Sequence, residues 1–150
     1  MPTIDVEVKK TIRRPLAVVS RQFGDMQHHV RDNVHPDITF TMISEQGDSC
    51  RFRRDVKVLG MLQSDEVVQE RTSDGALVAD VVTGANVGLR ITQSFSPADA
   101  DSTVVTLRVV GPATGIKLVL KPLFEMAIRK AVEKGLEEDR VDLEERGYGS

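Results

Sequence analysis

The chain contains no tryptophan, one tyrosine and one cysteine in 150 residues. A lone Cys50 excludes an internal disulfide framework and any zinc cluster built from cysteines. The shortage of aromatic rings removes the walls that often hold flat or cationic ligands. A basic excess is missing too. The net charge of -3 and pI near 5.6 argue against a nucleic-acid partner, because phosphates are neutralised by surplus Lys and Arg. Long apolar runs are also absent. The amino-terminal MPTIDVEVKK has no signal-peptide core, and the apolar IKLVLKPLF is broken by Lys117, Lys121 and Pro122. Neither approaches the roughly 20 apolar residues that span a bilayer. These gaps predict a soluble cytoplasmic protein with no membrane insertion.

With 40% hydrophobic and 29% charged residues, the composition fits one globular domain over 1–150. From Thr3 to Ile12, apolar Ile4, Val6 and Val8 alternate with Asp5, Glu7 and Lys9, the period of a half-buried strand. Pro15 suits a first helical turn, and Leu16, Val19 and Phe23 follow at helical spacing up to Gly24. Asp25 is placed to cap a second short helix, Met26 to Arg31.

From His35 onward period two returns, in segments marked by Ile38-Phe40-Met42, Phe52-Val56-Val58, Val67, Val78-Val82, Leu89-Ile91-Phe95 and Val105-Leu107-Val109. Short turn sequences separate them, among them Gly47-Asp48, Leu59-Gly60, Ser73-Asp74-Gly75 and Gly84-Ala85-Asn86. Connections this short make an antiparallel meander. The last third predicts a long helix with an apolar stripe through Ile116, Leu120, Leu123, Phe124, Ala127, Ile128, Ala131, Val132 and Leu136. Gly135 inside it suggests a close approach of helix to sheet, and the tail after Leu143 is expected to fray.

That order, with Ile12-Arg13-Arg14-Pro15 opening the first helix, Ser94-Phe95-Ser96-Pro97 before the last strand and the apolar helix Leu118 to Leu136, resembles the START-like, helix-grip (SRPBCC) superfamily. The similarity is to its polyketide cyclase/dehydrase and lipid-transport group. The resemblance implies an α+β fold: a curved seven-stranded antiparallel sheet wrapped on a long C-terminal helix, with two short helices after the first strand. It also implies an apolar cavity between sheet and helix. A carrier of a small hydrophobic lipid-like or polyketide-like molecule follows from it. A cyclase or dehydratase with a cavity acid–base residue and a protein-interaction module are the alternatives. No cofactor is implied, and the chain is a monomer or homodimer.

Candidate site residues are few. Phe40, Met42, Ile91, Ala127 and Ile128 are expected to line the cavity, with Arg54 and Asp80 as its polar members. Arg54 is in phase with Phe52, Val56 and Val58, while Arg51 and Arg53 fall on the other strand face and are expected to pair with carboxylates on neighbouring strands. Asp80 sits among Val78, Ala79, Val81 and Val82, so a buried Arg54–Asp80 pair is expected. Asp80 and His29 are the catalytic candidates. His28, His29 and His35 invite a metal, with Asp32 and Asp37 nearby. No H-x-x-x-H spacing occurs, and adjacent helical side chains diverge by about 100°. A metal site is therefore not expected, and a solvated loop or a polar rim at the pocket mouth is. Cys50 has no recognisable activating partner and reads as a small apolar residue.

Overall fold

A computed structural model describes residues 3–58 and 60–149. Strand β1 (Thr3–Ile12) leads into helices α1 (Leu16–Gly24) and α2 (Met26–Arg31). Six strands follow: β2 (Ile38–Gln46), β3 (Ser49–Val58), β4 (Met61–Arg71), β5 (Leu77–Gly84), β6 (Arg90–Asp99) and β7 (Ser102–Pro112). A short turn of helix, α3 (Ile116–Val119), precedes α4 (Lys121–Glu144). The seven strands form one antiparallel sheet in the order β1-β7-β6-β5-β4-β3-β2. Of the expected Leu59-Gly60 turn between β3 and β4, Leu59 lies outside the described residues.

The meander explains the order. Each short hairpin lays the next strand beside the last, and β1 closes onto β7, leaving β1 and β2 as the two edges. Helices α1 and α2 carry the chain from one edge to the other. Asp25 caps α2 as expected, its Oδ1 accepting the His28 N–H at 3.1 Å. The β1 edge is covered by α4: Glu125 Oε2 accepts the Asp5 N–H at 3.1 Å, and Arg129 Nη1 donates to the Glu7 carbonyl at 3.0 Å. These two bonds satisfy edge groups that would otherwise invite another chain.

One main core fills the inner face. Val105, Leu107 and Val109 of β7, Leu77, Ala79 and Val81 of β5, Phe52 and Val67 pack with Val19 and Phe23 of α1. Leu136 and Leu143 of α4 complete it. At roughly 1.5–3 kcal/mol for each large apolar side chain, this cluster dominates the stability.

The terminal helix departs from expectation. Its buried residues are Leu136, Asp139, Asp142 and Leu143, all in the carboxyl half. In the amino half Leu123 and Met126 are exposed, as are Ile116, Leu118, Val119 and Leu120 before it. The reason is geometric: α4 packs chiefly along β1, while the apolar stripe is wide enough to overhang it. Gly135 has no tight sheet contact; a Cβ there would meet only His35 Cε1, at 3.9 Å. The tail does not fray at Leu143 either. Tyr148 donates its hydroxyl to Asp25 Oδ2 at 2.7 Å, and its ring packs 4.5 Å from that of His28.

Candidate functional site

Directly opposed residues on neighbouring strands share a face, and one such row crosses the concave side. Phe40 of β2 faces Arg54 of β3, which faces Asp65 of β4, which faces Gly84 of β5. The next row is Met42, Phe52, Val67 and Val81. Phe40, Met42, Ile91 and Ile128 are half-buried and rest against the core. Phe40 meets Phe52 edge-on, with ring centroids 5.7 Å apart.

Arg54 points inward, as its phase predicts, but its partner is not Asp80. Its Nη2 donates to Asp65 Oδ2 at 3.0 Å. Asp65 is fully buried and also accepts the Asn86 backbone N–H and side-chain Nδ2, both at 2.9 Å. Burial raises this carboxyl's pKa, but the hydrogen bonds from Asn86 and the Arg54 guanidinium outweigh it and hold it below the usual carboxylate range. Arg54 Nε is buried and has no hydrogen-bond partner among the described residues.

Asp80 lies on the opposite face. Leu77, Ala79 and Val81 are the buried members of β5, which turns Asp80 outward to pair with Arg90 at 2.8 and 3.1 Å. The expected buried Arg54–Asp80 pair is therefore corrected: apolar neighbours on both faces concealed which face is inward. Ala127 is exposed and outside the packed set. Cys50 is half-buried, and burial, with Glu45 nearby, raises its thiol pKa, the direction opposite to an activated nucleophile. Arg51 pairs across to Glu66 of β4 as read, whereas Arg53 pairs within its own strand, with Asp55, two residues on along the same face.

Two small hollows are described, and neither holds a residue predicted to line a cavity. One, of about 110 Å³, is lined by residues including Gly24, Cys50, Gln69 and Arg71. The other, of about 120 Å³, lies among Val34, Pro36, Glu138 and Val141. Phe40, Met42, Ile91 and Ile128 stay half-buried against the core, and the amino half of α4 leaves Leu123 and Met126 exposed.

At one end of the Phe40 row stands a cluster that sequence reading placed in solvent. His28, His29 and His35 are all buried, between α2 and the carboxyl half of α4. His28 Nε2 lies 2.7 Å from Asp142 Oδ2 and Nδ1 lies 2.6 Å from Asp32 Oδ2. His29 Nδ1 donates to the Asp25 carbonyl at 2.8 Å, and Nε2 lies 3.2 Å from Asp139 Oδ1. His35 places Nδ1 3.0 Å from Glu138 Oε1 and Nε2 3.4 Å from the same Asp139 oxygen. Gln22, fully buried, donates Nε2 to Asp139 Oδ1 and Asp142 Oδ2 at 3.0 and 2.9 Å. Its Oε1 has no partner.

Burial lowers the His35 pKa, but Asp139 and Glu138 overcome it and raise the imidazole to about 9. Burial raises the Asp139 carboxyl, and the hydrogen bonds from His29 and His35 outweigh it and hold it well below its usual range. One ligand atom from each of His29, His35 and Asp139 lies within 4.8 Å of the others, a group able to hold a metal. The spacing argument against a shared metal therefore does not apply to this pair of histidines. His35 comes from the loop after α2, and the third donor from a residue 110 positions beyond His29. Helical divergence constrains neither. Long-range pairing left no local signal beyond the carboxylates at positions 138, 139 and 142 on one helix.

No family model and no curated protein matches the chain. Solved structures do. A protein from Thermus thermophilus matches with TM-score 0.80 at 17% identity, over 91% of this chain and 94% of that one. The ZhuI aromatase/cyclase from a Streptomyces species matches with TM-score 0.75 at 16% identity, over 97% and 99%. A START superfamily protein from Mycobacterium smegmatis matches with TM-score 0.61 at 16% identity, over 87% and 97%. At such identities the likeness is one of fold: this chain has the START-like, helix-grip fold. Among the described residues, no helix is long and apolar enough to cross a membrane.

Proposed function

We propose that the protein binds a small, mainly apolar molecule with an anionic or hydrogen-bond-accepting end in a cleft between the sheet and α4, bordered by Phe40, Met42, Ile91 and Ile128. The observation that carries the reading is Arg54: an inward guanidinium beside Phe40, with a buried Nε lacking any partner. Leaving such a donor unsatisfied costs on the order of 1–3 kcal/mol, which an acceptor on a ligand recovers. Phe40, Met42, Ile91 and Ile128 offer apolar contact, and few polar groups converge among them, the usual design of a small-molecule site. Asp80 and Ala127 leave the set. The aromatase/cyclase and the START superfamily protein among the matching structures agree with a ligand-holding role, although a shared fold does not fix chemistry. Turnover of the bound molecule is the second reading, favoured by His29 and His35, whose rings lie 6.4 and 6.0 Å from Phe40.

Titration with anilinonaphthalene sulfonate, an apolar body bearing an anion, tests the cleft. Saturable binding with a blue-shifted emission is expected. Ile91→Trp, which fills the cleft, and Arg54→Lys, which keeps the charge but removes the Nε donor, should each weaken it about tenfold, or about 1.4 kcal/mol. Undiminished binding by both folded variants rejects the reading.

A further inference from the structure

We propose that His29, His35 and Asp139 form a binding site for one divalent first-row transition-metal ion, at the end of the cleft beyond Phe40. The argument rests on hydrogen-bond bookkeeping. A backbone carbonyl can only accept, so the 2.8 Å contact from His29 Nδ1 to the Asp25 carbonyl fixes that ring's proton on Nδ1. Nε2 is then the ring atom that offers a lone pair to a metal once its own proton is displaced. It faces Asp139 Oδ1 at 3.2 Å, and that carboxylate oxygen is also an acceptor. His35 repeats the pattern, with Glu138 against Nδ1 and the same Asp139 oxygen 3.4 Å from Nε2. Two ring nitrogens and one carboxylate oxygen therefore converge on a single buried point, where a proton bridges them in the metal-free chain and where a metal ion that displaces it finds three donors.

The spacing suits a metal. Donors bound at about 2.0–2.2 Å with interbond angles of roughly 90–110° stand about 3.0–3.5 Å apart. Both observed N···O separations fall in that interval. The outer contacts are also those of a metal site. Each ring donates or presents its far nitrogen to a carbonyl or carboxylate, the arrangement that orients ligating histidines and makes them better donors. Gln22 Nε2 holds Asp139 through Oδ1, and the unpartnered Oε1 of the same buried amide is an acceptor next to the cluster, suited to a metal-bound water. Buried Asp142, bridged to Asp139 by Gln22, adds negative charge that compensates a dication.

Two imidazoles with one carboxylate select borderline ions such as Zn(II), Fe(II) or Co(II) over Mg(II) and Ca(II), which prefer all-oxygen shells. Three protein ligands leave at least one position open. One turn before Glu138 and Asp139, α4 carries Gly135, where a Cβ would stand 3.9 Å from His35 Cε1, so no side chain from that position crowds the ring. Occupants of the cleft could approach past Phe40, but the site does not depend on the cleft reading: dye binding can fail while metal binds, and the reverse.

Co(II) alone, added to chelator-treated full-length protein, provides the test. One ion per chain is expected, with visible d–d absorption and two hyperfine-shifted, exchangeable imidazole N–H resonances, from Nδ1 of His29 and of His35. Asp139→Asn and His29→Gln should lose binding at least about 100-fold, and Gln22→Met should weaken it about 10–100-fold, as outer-shell changes do. His28→Gln should retain it. Folded wild-type protein that takes up no Co(II) at millimolar concentration overturns the proposal; its cation is then a proton. So does uptake without shifted imidazole N–H signals, which reads the site in the unaltered chain should a variant fail to fold. Uptake unchanged in folded Asp139→Asn does the same.

Discussion

Alternation along β3 places Arg54 inward, but the identity of its partner depends on which strand lies beside it and in what register. Neither is local information. The alternation in Phe52, Arg54 and Val56 was sufficient for direction. It could not separate Asp65 from Asp80, because β4 is mixed in polarity and Asp80 in β5 has apolar neighbours on both strand faces. A double-mutant cycle distinguishes them. Removing either partner of a buried pair commonly costs about 3–5 kcal/mol, so Asp65→Asn and Arg54→Met should both be strongly destabilising and strongly non-additive. Asp80→Asn loses only an exposed pair with Arg90, expected within about 1 kcal/mol, and should add to Arg54→Met without coupling. Urea melts of the wild type, the three single variants and the two doubles decide it; coupling between Arg54 and Asp80 would reverse the assignment.

The same residue gives a pH dependence. The Asp65 carboxyl has its pKa lowered on folding, so its stabilising contribution is complete above the unfolded value of about 3.9. It is lost as pH falls through the lower folded value. The stability gap between wild type and Asp65→Asn should therefore be flat from neutral pH down to about 5 and narrow below about 4. A gap that widens in acid would mean that Asp65 folds protonated.

Among the elements, α4 shows most clearly what periodicity reveals and what it conceals. Spacing of i, i+3 and i+4 located the helix and its apolar stripe, but a stripe says nothing about how much of it another element covers. Leu143 is fully buried in the main core, whereas Leu123, on the same helix, is 60% exposed. Truncating a buried leucine to alanine typically costs about 2–5 kcal/mol, and a surface change stays within about 0.5 kcal/mol. Leu143→Ala and Leu136→Ala should thus lower the melting temperature by many degrees, while Leu123→Ala and Met126→Ala leave it nearly unchanged. Equal losses along the helix would show that its amino half is packed in solution. The polar cluster was missed for a related reason. Its acidic half lies on this helix at positions 138, 139 and 142, and its histidines on α2 and the loop after it, so only the folded chain brings them together.

For the whole molecule, these two halves of α4 imply unequal local stability. Around β1, β7 and the carboxyl half of α4, the inner face holds Val105, Leu107, Val109, Leu136 and Leu143, and the amides there should open only with global unfolding. The stretch from Ile116 to Met126 buries no side chain fully, and β2 is an edge strand whose Phe40 and Met42 are half covered. Amide exchange should be fast in these two regions and slow in the first. A molecule seated in the cleft bridges the two weak walls and binds the closed arrangement better than the open one, which stabilises by about 2.7 kcal/mol at a hundredfold excess over Kd. Exchange in β2, in β3 and over 120–128 should then slow selectively when anilinonaphthalene sulfonate is added, with little change in β7. Protection spread evenly over the chain would show that the dye stabilises the fold without occupying the cleft. No change at all would show that the walls do not close on it.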